Sequence, residues 1–305
     1  MGCSVATALR QRGFRVRELA RTPAGPDGAP LDLLAPLADG RWSAALAGCA
    51  AVVHCAAHVH RPDETAEEIR LFEAVNVEGT AKLVRAAQAA GIERFVLVSS
   101  SVVYGASTGV AAQEGAAPAP MSAYGRSKVQ AEELVRGSAL AWVIARPATI
   151  FGGGDRANFR RLAHALRRGR FVVPGAGEAR KSVLPVDLAG ALLARLAVEP
   201  IPAGTVVNLA LPEAPTLRQI CDGFSRELDW PRARSVPRWL LSLAAKAGDS
   251  LAGVGGRAPL TTTTLGKLTA STVVDVTTQL RLLPRENWPD FAGALRECAD
   301  SYATA

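Results

Sequence analysis

The segment "SAYGRSK" sets Tyr124 and Lys128 four residues apart, on one face of a helix. A phenol with a pKa of about 10 is a poor base at neutral pH. A neighbouring ammonium favours the phenolate, and a positively charged nicotinamide ring would add to that. Such a pair can shuttle a proton while hydride moves between a substrate and the cofactor. By itself Y-x-x-x-K is common by chance and reads as an exposed helix pair. Upstream, "VLVSSSVVYG" ends an apolar strand, where the carboxyl ends of parallel strands form the ligand crevice. A hydroxyl there can hydrogen-bond the substrate oxygen that Tyr124 protonates. Ser99, Ser100 and Ser101 compete for that role, against the plain reading that all three finish a strand.

The elements that must position these groups follow from periodicity. "AVVHCAA", "RFVLVSS" and "AWVIARPATIF" are compact apolar runs suited to strands buried on both faces, and "TVVNLAL" reads as a late return to the sheet. Helices are predicted at the start, roughly from Thr65 to Ala90 with a stop at Gly91, and over "SAYGRSKVQAEELV". Apolar strands alternating with helices mean a parallel α/β sheet. The alternation of Phe14, Val16 and Glu18 predicts a strand after the first helix. "TPAGPDGAPLDLLAPLADG" reads as loop with at most a short strand. From about Leu211 the texture changes, with more Trp and Pro and a Thr261–Thr264 run.

At 305 residues, 49% hydrophobic and 21% charged, the chain is long enough for a large core and two lobes. It carries no apolar run long enough for a membrane span and no signal peptide, so a cytoplasmic protein is expected. Cys3, Cys49, Cys55, Cys221 and Cys298 are scattered, which suits reduced thiols rather than a disulfide frame or zinc site. His54, His58 and His60 offer a metal reading with only Asp63 as an acidic neighbour, and no metal is expected. The formal charge is +7, densest at Arg156, Arg160, Arg161, Arg167, Arg168 and Arg170. That cluster reads as a solvated helix face or as attraction for a phosphorylated small substrate. Aromatics make up 5% and do not interleave with it, which excludes base stacking and a nucleic-acid partner.

With "AVVHCAA", "VNVEGT", "FVLVSSSVVYG", "YGRSK", "ARPATIFG" and "RKSVLPVDLAGALL" in order, the sequence resembles the extended short-chain dehydrogenase/reductase family, the NAD-dependent epimerase/dehydratase group. "NFRRL" and "KLTASTVVD" look most like nucleotide-sugar 4-epimerases and 4-keto-sugar reductases. The resemblance implies a Rossmann-type doubly wound parallel sheet with a smaller C-terminal substrate lobe. The dinucleotide-binding domain is then 1–150, completed by about 183–211, and the substrate lobe is 151–182 and 212–305. It makes Ser100 the catalytic serine, Tyr124 the acid/base, and Lys128 its partner and the holder of the nicotinamide ribose. Asn158 and Arg180 match positions that bind a nucleotide-sugar diphosphate, Arg by bidentate geometry. Ala56 and Ala57 line the cofactor groove, and Asn76 is a structural tie. Family dehydratases carry Asp-Glu after the position of Ser100; Ser101 and Val102 stand here, which argues against dehydration.

Family members begin with a strand and a turn of the form T-G-x-x-G-F-x-G; aligned on "RGFRVRELART", the last glycine of that turn falls on Gly2 and the first strand is absent. Either Met1 is a mis-assigned start with about a dozen residues before it, or the chain is a truncated, inactive member. The first is the favoured expectation. At the end of the second strand stand Leu19, Ala20 and Arg21, with no acid but Glu18, whose direction is wrong by alternation. NAD or NADP is expected, with Arg21 leaning to NADP.

Four functions are weighed. The first is a 4-epimerase of a UDP-hexose or UDP-N-acetylhexosamine, oxidising C4 transiently and returning hydride to the other face. The second is an NADPH-dependent reductase of a 4-keto sugar nucleotide. The third is a hydroxysteroid or flavonoid-type reductase, for which "PRWLLSLAAKAGDSLAGVG" would serve a lipid substrate, although Lys246 and Asp249 read it as an ordinary amphipathic helix. The fourth is a non-catalytic cofactor-sensing or structural protein. A homodimer is carried as a partner expectation.

Overall fold

The computed structural model describes residues 1–23, 28–37, 40–59, 65–106, 109–154, 158–253 and 260–303. His60, Asp63 and Arg156 lie outside the described residues. The centre is a parallel four-stranded sheet of β3 (Ala51–His54), β4 (Arg94–Val98), β5 (Trp142–Pro147) and β9 (Thr205–Leu209), in that order. Alternation along β4 and β5 divides two cores. Val96, Val98, Val143 and Ala145 face one, with α1 (Gly2–Gln11) and α7 (Val186–Val198). Phe95, Leu97 and Ile144 face the other, with α2 (Arg41–Leu46), α4 (Gly79–Ala89) and α5 (Ala123–Arg136). Both faces are therefore buried, which is why these strands read as continuous apolar runs. On one side α1 and α7 approach closely: a Cβ added at Gly190 would stand 2.6 Å from the Ser4 backbone.

The segment after α1 departs from its sequence pattern. Only β1 (Leu19–Ala20) is a strand, paired in parallel with β2 (Ala29–Pro30) in a separate two-stranded sheet. Phe14 and Val16 alternate with Glu18 but lie before the ladder, which Glu18 reaches through its carbonyl, accepting from the Ala29 amide at 2.9 Å; alternation without a hydrogen-bonding neighbour does not make a strand. Glu18 instead pairs with Arg10 at 2.8 Å, and Arg17 donates to the carbonyls of Ala45 and Ala47 at the end of α2. The predicted long helix is continuous but not uniform. Thr65 caps α3 (Ala66–Leu71), the helix widens into a π-helical turn over Phe72–Glu78, and α4 follows.

"AWVIARPATIF" is also two strands rather than one. After β5 the chain steps into β6 (Thr149–Phe151), which leaves the central sheet and pairs with β8 (Val183–Pro185). Between them lie α6 (Asn158–Arg167) and β7 (Val172–Pro174), and β7 pairs with β10 (Arg234–Val236). The chain after β9 is helical: α8 (Leu217–Glu227), α9 (Arg238–Gly253), α10 (Thr262–Thr269), α11 (Thr277–Leu282), α12 (Phe291–Cys298) and α13 (Asp300–Ala303). Thr216 and Gln219 form a reciprocal capping box at α8, and Thr261 caps α10, which accounts for the threonine run.

Candidate active site

At the carboxyl end of β4 the three serines separate. Ser99 is buried and donates to Glu132 Oε1 at 2.6 Å. Ser100 caps a 3-10 turn over Ser101–Tyr104, accepting from the Val102 amide at 3.3 Å. Ser101 is the first residue of that turn. Of the three, Ser100 is the one whose hydroxyl acts on the Tyr124 phenol, favouring its ionised form. The turn is shaped by Gly105, whose φ is 74° and where an added Cβ would stand 1.9 Å from the Ala119 carbonyl oxygen. No L side chain fits there.

Tyr124 and Lys128 come from the first turns of α5, which begins at the Ser122 cap. Lys128 is 3% exposed and donates to the Val98 carbonyl at 2.6 Å, leaving two of its three N–H donors for a ligand. Burial pulls its ammonium down to about 8, against the attraction of Cys55 and Glu132. Tyr124 departs from the expectation that a neighbouring ammonium lowers it. Burial pushes the phenol up to about 12, the Ser100 hydrogen bond opposing, so it is a neutral phenol here. The ammonium is turned onto the Val98 carbonyl rather than the phenol.

A second set of contacts fixes Tyr124 from behind. Its ring lies 5.8 Å from that of Phe72, itself 5.2 Å from His58. Asn76, in the π-helical turn, accepts from the His58 amide at 2.7 Å and donates to the His58 carbonyl and to Ser127 Oγ, which donates to the Tyr124 carbonyl at 2.8 Å. Asn76 thus joins the chain after β3 to α5. His58 Nε2 meets Glu68 at 2.6 Å, and His54 meets Thr80, with burial and then Lys128 lowering His54 to about 3. Among the described residues no group of His, Cys, Asp and Glu could hold a metal ion.

The other candidates make none of these contacts. Ala56 is exposed and Ala57 half-buried in the coil after β3. Arg21 is exposed just past β1. Asn158 opens α6 and accepts from Arg161 at 2.8 Å. Arg180 is exposed; its guanidinium donates to the Ala214 carbonyl and its amide to Ser271 Oγ. Neither Asn158 nor Arg180 has a hydrogen bond to Ser100, Tyr124 or Lys128 among the described contacts.

Sequence reading passed over Glu132 and Arg146. Both are almost fully buried, and Arg146 forks onto Glu132 at 2.9 and 2.6 Å while also donating to the Tyr104 hydroxyl and Glu114 carbonyl. The signal was present: an arginine inside a strand buried on both faces needs a partner.

Residues 1–210 match the NAD dependent epimerase/dehydratase family. The chain belongs to that family. It is 38% identical over 125 residues to a UDP-glucose 4-epimerase of Vibrio cholerae, covering 39% of this chain and 38% of that protein. It is 35% identical over 145 residues to the N-acetyl-alpha-D-glucosaminyl-diphospho-ditrans,octacis-undecaprenol 4-epimerase of Escherichia coli O157:H7, covering 46% of this chain and 43% of that protein. These matches span less than half of either relative. In fold it resembles the solved structure of MoeE5 in complex with UDP-glucuronic acid and NAD, with a TM-score of 0.76, 23% identity, and 98% of this chain and 94% of that chain covered. A nicotinamide dinucleotide fits the residues present. A helix N-terminus suits a phosphate, and Gly2 at the start of α1 lies beside Cys55 just past β3. At the other end stand Tyr124, Ser100 and the two open donors of Lys128.

Proposed function

We propose that the protein is an NAD(P)-dependent 4-epimerase of a nucleotide sugar, a UDP-hexose or UDP-N-acetylhexosamine. The observation that carries this reading is the placement of Ser100 at the end of β4 and of Tyr124 and buried Lys128 one turn apart on α5. When bound, NAD(P) supplies the hydride acceptor and donor. As the phenolate, Tyr124 Oη takes the proton of the sugar's C4 hydroxyl and gives it back, and Ser100 Oγ holds the same sugar oxygen in line. Lys128 Nζ binds the nicotinamide ribose with its open donors and favours the phenolate when it turns from Val98. Gly2, Ala56 and Ala57 border the dinucleotide. Asn158 and Arg180 bind the diphosphate, from a substrate lobe of 151–182 and 212–305.

A second reading is an NADPH-dependent 4-keto-sugar-nucleotide reductase. One observation favours it: Glu18 is occupied by Arg10, which leaves exposed Arg21 at the end of β1 for a 2′-phosphate. Absorbance of the purified protein and an assay with UDP-sugars separate the two. An epimerase carries bound cofactor and interconverts C4 epimers without net oxidation; a reductase consumes added NADPH mole for mole. Arg180→Ala is expected to raise KM for the sugar nucleotide about tenfold or more. An unchanged KM, together with turnover of a steroid or flavonoid, would reject the diphosphate reading.

A further inference from the structure

Helix α9 is apolar on two sides, and the fold uses only one. Leu241 and Ala245 are buried against Leu265, with Val172, Val236 and Leu260 packed beside them. At about 3.6 residues per turn, Trp239, Leu240, Leu243, Ala244, Ala247 and Leu251 adjoin one another on the opposite side, and all are exposed. Trp239 is 66% exposed and Leu243 58%. The expectation of an ordinary amphipathic helix is therefore corrected: Lys246 borders this apolar face, and Asp249 is turned to the start of α10, accepting from the Thr262 amide at 3.1 Å.

The charge around the face is predominantly positive. Residues 230–253 contain Arg232, Arg234, Arg238 and Lys246, and Asp249 is their single acid. Arg232, Arg234, Arg238 and Lys246 are all exposed. Arg170 adds to them: β7 and β10 pair Val172 with Arg234, so Arg170 and Arg232 each stand two residues ahead of that paired position. A second copy of the chain seated on the same face would bring these cations onto one another. A layer of anionic headgroups over an apolar interior complements both features, the cations and the Trp-Leu face.

We propose that the exposed face of α9 docks the protein on an anionic lipid surface, with Trp239, Leu240 and Leu243 entering the headgroup boundary and the arginines contacting lipid phosphates. This is peripheral attachment; no helix among the described residues is long and apolar enough to cross a membrane. It does not depend on which sugar or cofactor the site takes.

The test is flotation of the full chain with vesicles of phosphatidylcholine alone, or with about one-third phosphatidylglycerol. The chain is expected to float with the anionic vesicles and to be released by salt. Trp239→Ser with Leu243→Ser should weaken binding about tenfold or more. Arg234→Gln with Lys246→Gln should weaken it roughly fivefold per charge removed. Unchanged thermal unfolding shows that the variants fold. A blue shift of tryptophan emission on the anionic vesicles, lost in Trp239→Ser, reports insertion at this helix. Failure of the folded wild-type chain to float at low salt overturns the proposal, as does undiminished flotation of the Trp239→Ser, Leu243→Ser variant. A self-association that this variant abolishes, without vesicle binding, would assign the face to a second copy instead.

Discussion

One turn of α5 separates two buried charges that are treated in opposite ways. Glu132 is saturated: it accepts from Ser99, twice from Arg146, and from Arg136 at 3.5 Å. The network continues through Tyr104 to Asn208, which is itself held by the Ala112 and Asp275 carbonyls. Lys128, four residues earlier, has one carbonyl and bears its burial largely uncompensated. Hence Glu132 is pulled below the ordinary carboxylate range despite burial, chiefly by Arg146, while Lys128 is pulled toward neutrality. The saturated pair locks α5 to β5. Under the proposed function, the unsaturated amine is the group that takes the nicotinamide ribose. A surface depression of about 560 Å³ lies beside the Glu132–Arg146 pair and is lined by neither Tyr124 nor Lys128.

The comparison can be tested by substitution, beginning with the chemistry. Tyr124→Phe should lower kcat about 10²- to 10⁴-fold, with circular dichroism and Tm near wild type, because the ring contact to Phe72 survives. Full activity in this variant would move the acid/base role elsewhere. Glu132→Ala should instead act on folding. It strands Arg146 at 1% exposure, and chemical denaturation should report a loss of about 3–5 kcal/mol.

Lys128→Met should lose activity yet gain stability. The folded-state pKa of Lys128 is depressed from 10.5 to about 8. Between those values the unfolded chain binds more protons, so stability rises with pH there. The full burial cost, of order 3 kcal/mol, applies below about pH 8. The stability advantage of Lys128→Met should therefore be greatest at neutral pH and shrink toward pH 10.5, as read from denaturation midpoints across that range. An advantage independent of pH would assign it to packing instead. Smallest is Ser127→Ala, which cuts the link from Asn76 to the Tyr124 backbone. It should cost about 1 kcal/mol and raise KM more than it lowers kcat.

Much of this was legible because period and chemistry point the same way. The strand runs of β4 and β5 are largely apolar because both their faces are covered. Thr65, Ser122, Thr216 and Thr261 stand at helix starts, where a hydroxyl satisfies an orphan amide. The failures have one cause. Phe14 to Glu18 has the alternation of a strand, but strand identity needs a neighbour, and no neighbour is encoded locally. "AWVIARPATIF" is apolar but for Arg146 and Thr149, yet Ala148, whose amide donates to Leu209, divides it between two sheets.

The sequence by itself determined the parallel α/β class, the Tyr124–Lys128 spacing on α5 and the serine cluster ending β4, since these depend on residue type and on separations of a few positions. Only the tertiary structure decided that Ser99 belongs to Glu132, that Lys128 rests on Val98, and that the outer face of α9 is exposed. Each of these depends on what a distant segment brings alongside, and burial and hydrogen-bond partners are properties of the assembled chain.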